Sequence, residues 1–192
     1  RFEDASLGLD DDCVVEAADA AGLLGSMEAL AARLGGDCVA ERFVAGREFN
    51  LAILAGPDGA PRPLPLAEMV FDPAAPGPAI LGYAAKWHAE SDAYSASARS
   101  FDLDGSTPSQ AMIRAGLRCW ELFGLAGYAR VDFRVSRGGD VYVIDVNPNP
   151  CIAPDSGFTA AARQAGLAHA DAVLAIVGDA LRRAGTGGGQ RV

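Results

Sequence analysis

The chain has 192 residues, half of them hydrophobic, and a formal net charge of −9 at pH 7, which indicates a globular protein and argues against nucleic acid or an anionic membrane as a partner. No stretch reaches the roughly 18 unbroken apolar residues of a membrane helix, and the charged opening RFEDASLGLDDD predicts no signal peptide. The four cysteines form no C-x-x-C pair, so no zinc site or disulfide framework is expected, and the cytoplasm is the expected location.

The first half of the chain is predicted to form one helix and several short strands. Apolar residues recur every three or four positions between Asp19 and Leu34, which predicts an amphipathic helix that ends at Gly35. Four apolar runs are predicted to be strands: CVVEA (13–17), CVAERFV (38–44), REFNLAILA (47–55) and LPLAEMVF (64–71). Ala45-Gly46 has the spacing of a hairpin turn, and 83–99 is predicted to be a surface loop.

The second half is predicted to contain a helix, a hairpin and two further helices. The first helix covers 109–123, capped by Ser106 or Thr107, and the hairpin joins YARVDFRVS (128–136) to DVYVIDVN (140–147). Helices over 159–165 and 170–183 follow, and 185–192 is predicted to be a disordered tail to a single domain of residues 1–184. Because the strands mostly follow one another in hairpins, the expected fold is α+β, a largely antiparallel sheet with helices packed on one side.

Charged side chains occupy alternate positions of the second hairpin. Period-two alternation puts Arg130, Asp132 and Arg134 on one face of the first strand, and Val143, Asp145 and Asn147 on one face of the second. If the register is right, Asp132, Asp145 and Asn147 converge and offer oxygen ligands for Mg²⁺. The alternative is a solvated sheet face with a salt-bridged hairpin.

The segment RVDF…VYVIDVNPNP resembles the ATP-grasp signature of the D-alanine–D-alanine ligases, roughly R-x-D and then (E/D)-x-N with a proline-containing loop. Other segments resemble the same family in the same order: EDASLGL (3–9) its phosphate-covering loop, ERFVAGREFNLAIL (41–54) its adenine-hinge strand and the next strand, YAAKW (83–87) its mobile loop, and FTAAARQAGL (158–167) its C-terminal helices. The resemblance implies the C-terminal portion of an ATP-grasp ligase over about residues 3–183, without the family's upstream domain.

The resemblance also implies a site for ATP. Glu41 would accept from the adenine amino group, and the segment of Arg42, Phe43 and Val44 would pair with the ring edge through its backbone. Other contacts are implied for the ribose at Glu48, the adenine face at Ile144, and the phosphates at Ser6 and Lys86. Taken alone, Glu48 is an ordinary strand-end charge, Ile144 a core residue and Lys86 a solvated lysine.

The implied chemistry is a ligation through an acyl phosphate. Asp132, Asp145 and Asn147 would hold two Mg²⁺ ions, with Mn²⁺ as an alternative, and Arg130 would steady the transferred phosphate. The loop of Lys86 would exclude water, and Ser156 would bind the carboxylate of the second substrate. The implied partners are small-molecule amino-acid or carboxylate substrates, with a homodimer of the full-length protein as a further option.

The sequence departs from the family pattern at several positions. Ala5 stands where a second serine is usual, Trp87 where a tyrosine is usual, and Cys151 where a glycine is usual. Asp145 replaces the commoner glutamate and is one methylene shorter. These departures leave open a ligase for other amino acids or peptides, and a non-catalytic nucleotide-binding fragment.

Overall fold

The computed structural model describes residues 13–75, 77–80 and 97–186. The elements in chain order are α1 Ala20–Leu34, β1 Gly46–Ala55, β2 Pro61–Pro63, β3 Ala67–Phe71, β4 Ser97–Ser100, α2 Ser109–Leu122, β5 Tyr128–Ser136, β6 Val141–Asn147, α3 Gly157–Gln164 and α4 His169–Thr186. The chain divides into two compact units, which are unit 1, Arg1–Val44 with Val70–Ala98, and unit 2, Ala45–Met69 with Arg99–Val192. In the described part of the chain, no helix is long and apolar enough to cross a membrane.

The helix of unit 1 begins and ends at the residues that the sequence predicts. The Asp19 carboxylate caps α1 by accepting from the Gly22 N–H at 2.8 Å. Gly35, at φ 70°, ends the helix and donates its N–H to the Ala31 carbonyl.

Two of the predicted strands are absent, although residues 13–17 and 38–44 are both described in full. Val39 is 93% exposed, so its side chain adds no buried surface that would hold the run as a strand. A short apolar run without a pairing partner does not determine a strand by itself. The predicted hairpin at Ala45-Gly46 is therefore wrong as well, and Gly46 instead begins β1.

β1 is the central strand of an antiparallel sheet. The order is β4-β3-β1-β5-β6, and β2 pairs with β1 at the opposite end from β3. β1 and β5 pair continuously, from Gly46 opposite Ser136 to Leu54 opposite Tyr128. The predicted α+β class and antiparallel sheet are confirmed.

Alternate residues of β1 pack into two hydrophobic clusters. The first cluster, which includes residues of α2, contains Phe49, Leu51, Ile53, Met112, Cys119, Trp120, Val131 and Phe133. The second cluster, which includes residues of α3 and α4, contains Ala52, Leu54, Leu64, Phe158, Ala161, Ala162 and Ala172. Because successive strand residues point to opposite faces, α2 covers one face of the sheet and α3 and α4 cover the other. The helices thus lie on both faces rather than on the single side predicted, since β1 is apolar on both.

The caps of α2 also differ from the prediction. Pro108 is the N-cap residue and supplies no side-chain hydrogen bond. The hydroxyls of Ser106 and Thr107 instead donate to Asp104, at 2.6 and 3.1 Å. Gly124, at φ 58°, follows the last turn of the helix as predicted.

Asp179 is a buried carboxylate of α4. It is 4% exposed and accepts from Arg182 Nη2 at 2.6 Å and from Arg183 Nε at 2.9 Å. Burial alone would raise the pKa of Asp179, but the two arginines outweigh it and hold that pKa below its ordinary value.

We expect Asp179→Asn to lower the free energy of unfolding at pH 7 by about 1–2 kcal/mol, because the charge-assisted hydrogen bonds are lost. A carboxyl with a lowered folded pKa stabilises the protein above its unfolded pKa of about 3.9, and this contribution disappears as the pH falls through the folded pKa. Urea titrations at pH 7 and pH 3 should therefore show a smaller acid destabilisation for Asp179→Asn than for the wild type. Asp155→Asn, at an exposed residue, is the control. Equal stability and an equal acid slope for Asp179→Asn would contradict the prediction.

Candidate functional site

Polar side chains line one face of the β5–β6 hairpin. Along β5, Val131 and Phe133 enter the first cluster, so Arg130, Asp132 and Arg134 point to the opposite face. Across the hairpin, Asp145 lies opposite Asp132, and Asn147 lies opposite Arg130. The structure thus brings together the four hairpin residues that the sequence singles out.

A β-bulge interrupts the pairing of the hairpin. Asp132 pairs with Asp145, but the next residue, Phe133, pairs with Val143, so Ile144 is the extra residue of β6. The extra residue shifts the in–out alternation of β6 by one position. Tyr142, which lies opposite Arg134, is therefore on the polar face, and Val143, which lies opposite Phe133, is not. The predicted grouping of Val143 with Asp145 is wrong for this reason.

Arg130 and Asp132 form a bidentate ion pair. Arg130 Nε donates to Asp132 Oδ1 and Arg130 Nη2 to Asp132 Oδ2, both at 2.7 Å. Burial lowers the pKa of Arg130, but the charges of Asp132, Asp145 and Glu48 outweigh it and raise that pKa overall. The guanidinium of Arg130 is therefore permanently charged, and it binds Asp132 and feels the charges of Asp145 and Glu48.

Glu48 and Arg134 form a second, more deeply buried ion pair. Glu48 of β1 is 6% exposed, Arg134 of β5 is 4% exposed, and the two residues pair in register. Arg134 Nη1 donates to Glu48 Oε2 at 3.1 Å, and Arg134 Nη2 donates to the Gly46 carbonyl at 3.3 Å. Burial lowers the pKa of Arg134, and the Glu48 charge offsets this in part. Glu48 is therefore not the ordinary strand-end charge that it resembles in the sequence.

The loop after β6 is held by side chains of the hairpin. Asn147 Oδ1 accepts from the Asn149 N–H at 2.9 Å, and the Tyr128 hydroxyl donates to Asn149 Oδ1. The ring of Tyr128 also packs edge-on against Phe158, with the centroids 5.4 Å apart. Tyr128 was not predicted to contribute to the site, although the alternation along β5 puts it on the same face as Arg130.

Ser156 is the N-cap residue of α3. Its hydroxyl oxygen accepts from the Thr159 N–H at 3.3 Å as the N-cap of the helix, and the Ser156 hydroxyl lies 3.2 Å from Thr159 Oγ1. Thr159 is buried and donates to the Ile152 carbonyl.

The remaining predicted contacts lie outside unit 2 or outside the described residues. Glu41, Arg42, Phe43 and Val44 belong to unit 1 and form no strand, and Phe43 is 41% exposed. Ser6 and Lys86, as well as Ala5 and Trp87, are not among the residues that the structure describes.

A groove of about 540 Å³ runs along β6 beside Asp145. It is lined by Phe123, Leu125, Val143, Ile144, Asp145, Val146 and Pro148. Ile144 is 42% exposed, so its side chain offers apolar surface to the groove instead of filling the core.

The donor set of the polar face fits a hard cation. Asp132 and Asp145 offer carboxylate oxygens and Asn147 an amide oxygen, the ligand types that Mg²⁺ takes. Among the described residues, no three His, Cys, Asp or Glu side chains form a metal-binding group. A cation here would therefore complete its coordination with oxygens of a substrate or of water, which is how Mg²⁺ is commonly held beside phosphates.

Comparisons with known proteins identify the family of the chain. The family described as D-ala D-ala ligase C-terminus matches residues 14–178. A D-alanine--D-alanine ligase of Bordetella pertussis is 32% identical over 151 residues, which are 79% of this chain and 45% of that protein. One of Rhizorhabdus wittichii is 34% identical over 146 residues, 74% of this chain and 42% of that protein. The chain spans less than half the length of these curated relatives.

Solved structures show a shared fold. The D-alanine--D-alanine ligase from Bacillus anthracis complexed with ATP superposes with a TM-score of 0.65 at 20% identity, over 88% of this chain and 50% of that one. A second structure of the Bacillus anthracis ligase gives a TM-score of 0.67 at 23% identity, over 88% and 51% of the two chains.

Proposed function

The chain belongs to the D-ala D-ala ligase C-terminus family, and from that premise we propose that it forms the nucleotide- and metal-binding part of an ATP-dependent carboxylate–amine ligase. The observation that carries the proposal is the polar face of the β5–β6 hairpin, where Asp132 lies opposite Asp145 and Arg130 opposite Asn147. Two carboxylates directly opposite each other across strands repel, and a bound cation would offset that repulsion together with Arg130.

Asp132, Asp145 and Asn147 are proposed to hold Mg²⁺, as two ions, with Mn²⁺ as a substitute. When bound, the cation offsets the negative charge of the phosphates and of the phosphoryl group in transfer. A cation that takes Asp132 as a ligand competes with Arg130, whose two hydrogen bonds to Asp132 are each 2.7 Å. Arg130 can then turn its donors to the transferred phosphoryl group, which a bidentate guanidinium suits.

The nucleotide is proposed to use groups on both sides of the hairpin. Ile144 packs against the adenine from the groove along β6, and Glu48 accepts hydrogen bonds from the ribose hydroxyls. The family resemblance adds Glu41, Arg42, Phe43 and Val44 for the adenine ring, and Ser6 and Lys86 for the phosphates.

The carboxylate and amine substrates are proposed to be small amino acids or peptides. The first carboxylate attacks the γ-phosphorus of ATP, which breaks the bond to the bridging oxygen, releases ADP and forms an acyl phosphate. The amine then attacks the acyl carbon, loses a proton and displaces inorganic phosphate. Ser156, at the N-terminus of α3, is the proposed contact of the second carboxylate. Cys151 is exposed and stands where the family uses glycine, which favours substrates other than two D-alanines. A cytoplasmic location and a homodimer of the full-length protein also belong to the proposal.

The test is a titration of this chain with ATP in the presence and absence of Mg²⁺, followed by measurement of phosphate release by the full-length protein with a panel of amino acids that includes D-alanine. We expect Mg²⁺-dependent ATP binding, and phosphate release that requires an amino-acid substrate. Binding without turnover for any substrate would favour a non-catalytic nucleotide-binding chain. The absence of ATP binding would overturn the proposal.

A further inference from the structure

Arg134 is a buried cation of the polar face for which the ligation chemistry has no direct use. It lies in the middle of β5, is 4% exposed, and faces Glu48 across the β1–β5 ladder. It lies two residues beyond Asp132, whose carboxylate is held by Arg130, so the two arginines donate hydrogen bonds to different carboxylates. A second buried guanidinium needs its own explanation, because burying a charge is unfavourable unless the charge is paired.

The charge of Arg134 affects which hydrogen bonds the Glu48 side chain can form with a ligand. The Glu48 side chain is only 6% exposed, and a buried charge needs a partner. Arg134 Nη1 is that partner and donates to Glu48 Oε2 at 3.1 Å. An ionised carboxylate only accepts hydrogen bonds, on about four lone-pair positions, and the hydroxyls of a sugar diol can donate two.

The geometry of Arg134 also holds the carboxylate in place. Its Nη1 donates to Glu48 and its Nη2 donates to the Gly46 carbonyl at 3.3 Å, so the guanidinium spans two residues of β1 that lie on the same side of the strand. A glutamate has three side-chain torsions, and an anchor to the neighbouring strand restricts them before any ligand arrives. A ligand that meets an oriented carboxylate loses less conformational entropy on binding.

We propose that Arg134 is a positioning residue for the sugar of the nucleotide: by holding the Glu48 carboxylate in place, it sets the preference of the site for a ribonucleotide over a nucleotide without sugar hydroxyls. The proposal rests on the proposed function, in which Glu48 accepts from the ribose. It extends that function to a residue that touches neither the nucleotide nor the metal and acts through Glu48.

The experiment measures the affinity of this chain for Mg-ATP and for Mg-2′,3′-dideoxy-ATP. In the wild type we expect ATP to bind roughly tenfold more tightly, because hydrogen bonds to a charged acceptor are lost with the hydroxyls. In Arg134→Met the ratio of the two affinities should fall to about one, and Arg134→Lys, which keeps the charge, should recover part of it. Arg137→Met, at an exposed arginine in the turn of the same hairpin, is the matched control and should keep the wild-type ratio.

Arg134→Met leaves the Glu48 carboxylate buried without its guanidinium, so this variant could fail to fold. A second variant keeps the inference testable in that case. The double variant Glu48→Gln with Arg134→Met removes both charges and should fold, as a thermal melt would check. Its affinity ratio should equal that of Glu48→Gln alone, since Arg134 acts through Glu48.

Several results would overturn the inference. An unchanged ratio in folded Arg134→Met would show that Arg134 has a structural role alone, and tighter ATP binding by that variant would show that the ion pair competes with the sugar. A wild type that binds both nucleotides equally well would contradict sugar recognition by Glu48 while leaving the nucleotide site intact. A wild type that binds neither nucleotide would overturn the proposed function and this inference with it.

Discussion

Replacing Asp145 with alanine is expected to abolish Mg²⁺-dependent nucleotide binding, with a loss of affinity of at least about 100-fold. Removal of a residue that merely supports a metal ligand already costs about 10–100-fold in metal affinity, so removal of a ligand should cost more. The reason lies in the pairing of β6 with β5: without Asp145, the site keeps Asp132, which Arg130 already holds through two hydrogen bonds, and the Asn147 amide. A single engaged carboxylate and a neutral amide hold a divalent cation poorly.

The measurement for Asp145 is calorimetric titration of ATP with and without Mg²⁺. Asp145→Glu restores the carboxylate on a longer side chain and should retain binding. Asp140→Ala is the matched control, because Asp140 lies beside the turn of the same hairpin, is exposed, and hydrogen-bonds to Ser136. Unchanged Mg²⁺-dependent affinity in Asp145→Ala would mean that the polar face is not the metal site.

The second large effect is expected at the first residue of β1, where Gly46→Ala should lower the free energy of unfolding by at least about 3 kcal/mol. A Cβ at Gly46 would lie 1.9 Å from the Val135 carbonyl oxygen and 2.9 Å from its carbon. Both are backbone atoms of β5, so the contact is relieved only if the two strands separate where Gly46 pairs with Ser136. The same separation would break the hydrogen bond between Arg134 and the Gly46 carbonyl.

Urea titration measures this loss directly, and a thermal melt should show a midpoint lower by roughly 6–12 °C. Gly178→Ala is the matched control: this glycine lies within α4 and is exposed, and a Cβ there would have no atom from outside its own helix within 4 Å. Because alanine is the better helix former, the control should gain up to about 1 kcal/mol. If Gly46→Ala were as stable as the wild type, the close approach of β1 to β5 would be wrong.

Much of the fold follows from local patterns. The helix from Ala20 to Leu34 has its apolar period and its terminal glycine in one continuous stretch, and the structure reproduces both and adds Asp19 as the N-cap residue. The resemblance to the ligase family is confirmed by the match over residues 14–178. The run at 38–44 shows where local pattern fails, because a strand needs a paired neighbour and the side chain of Val39 is 93% exposed.

The sequence by itself determined which residues of β5 share a face, because alternation along a regular strand is a property of the chain's own geometry. The tertiary structure determined which residues of neighbouring strands lie opposite each other. The bulge at Ile144 changes the alternation of β6, and its position depends on how two strands fit together rather than on either strand alone. Glu48 and Arg134 are 86 residues apart, and only the β1–β5 register makes them partners. The physical reason is that strand periodicity is local, whereas the pairing of a buried charge depends on contacts between distant parts of the chain.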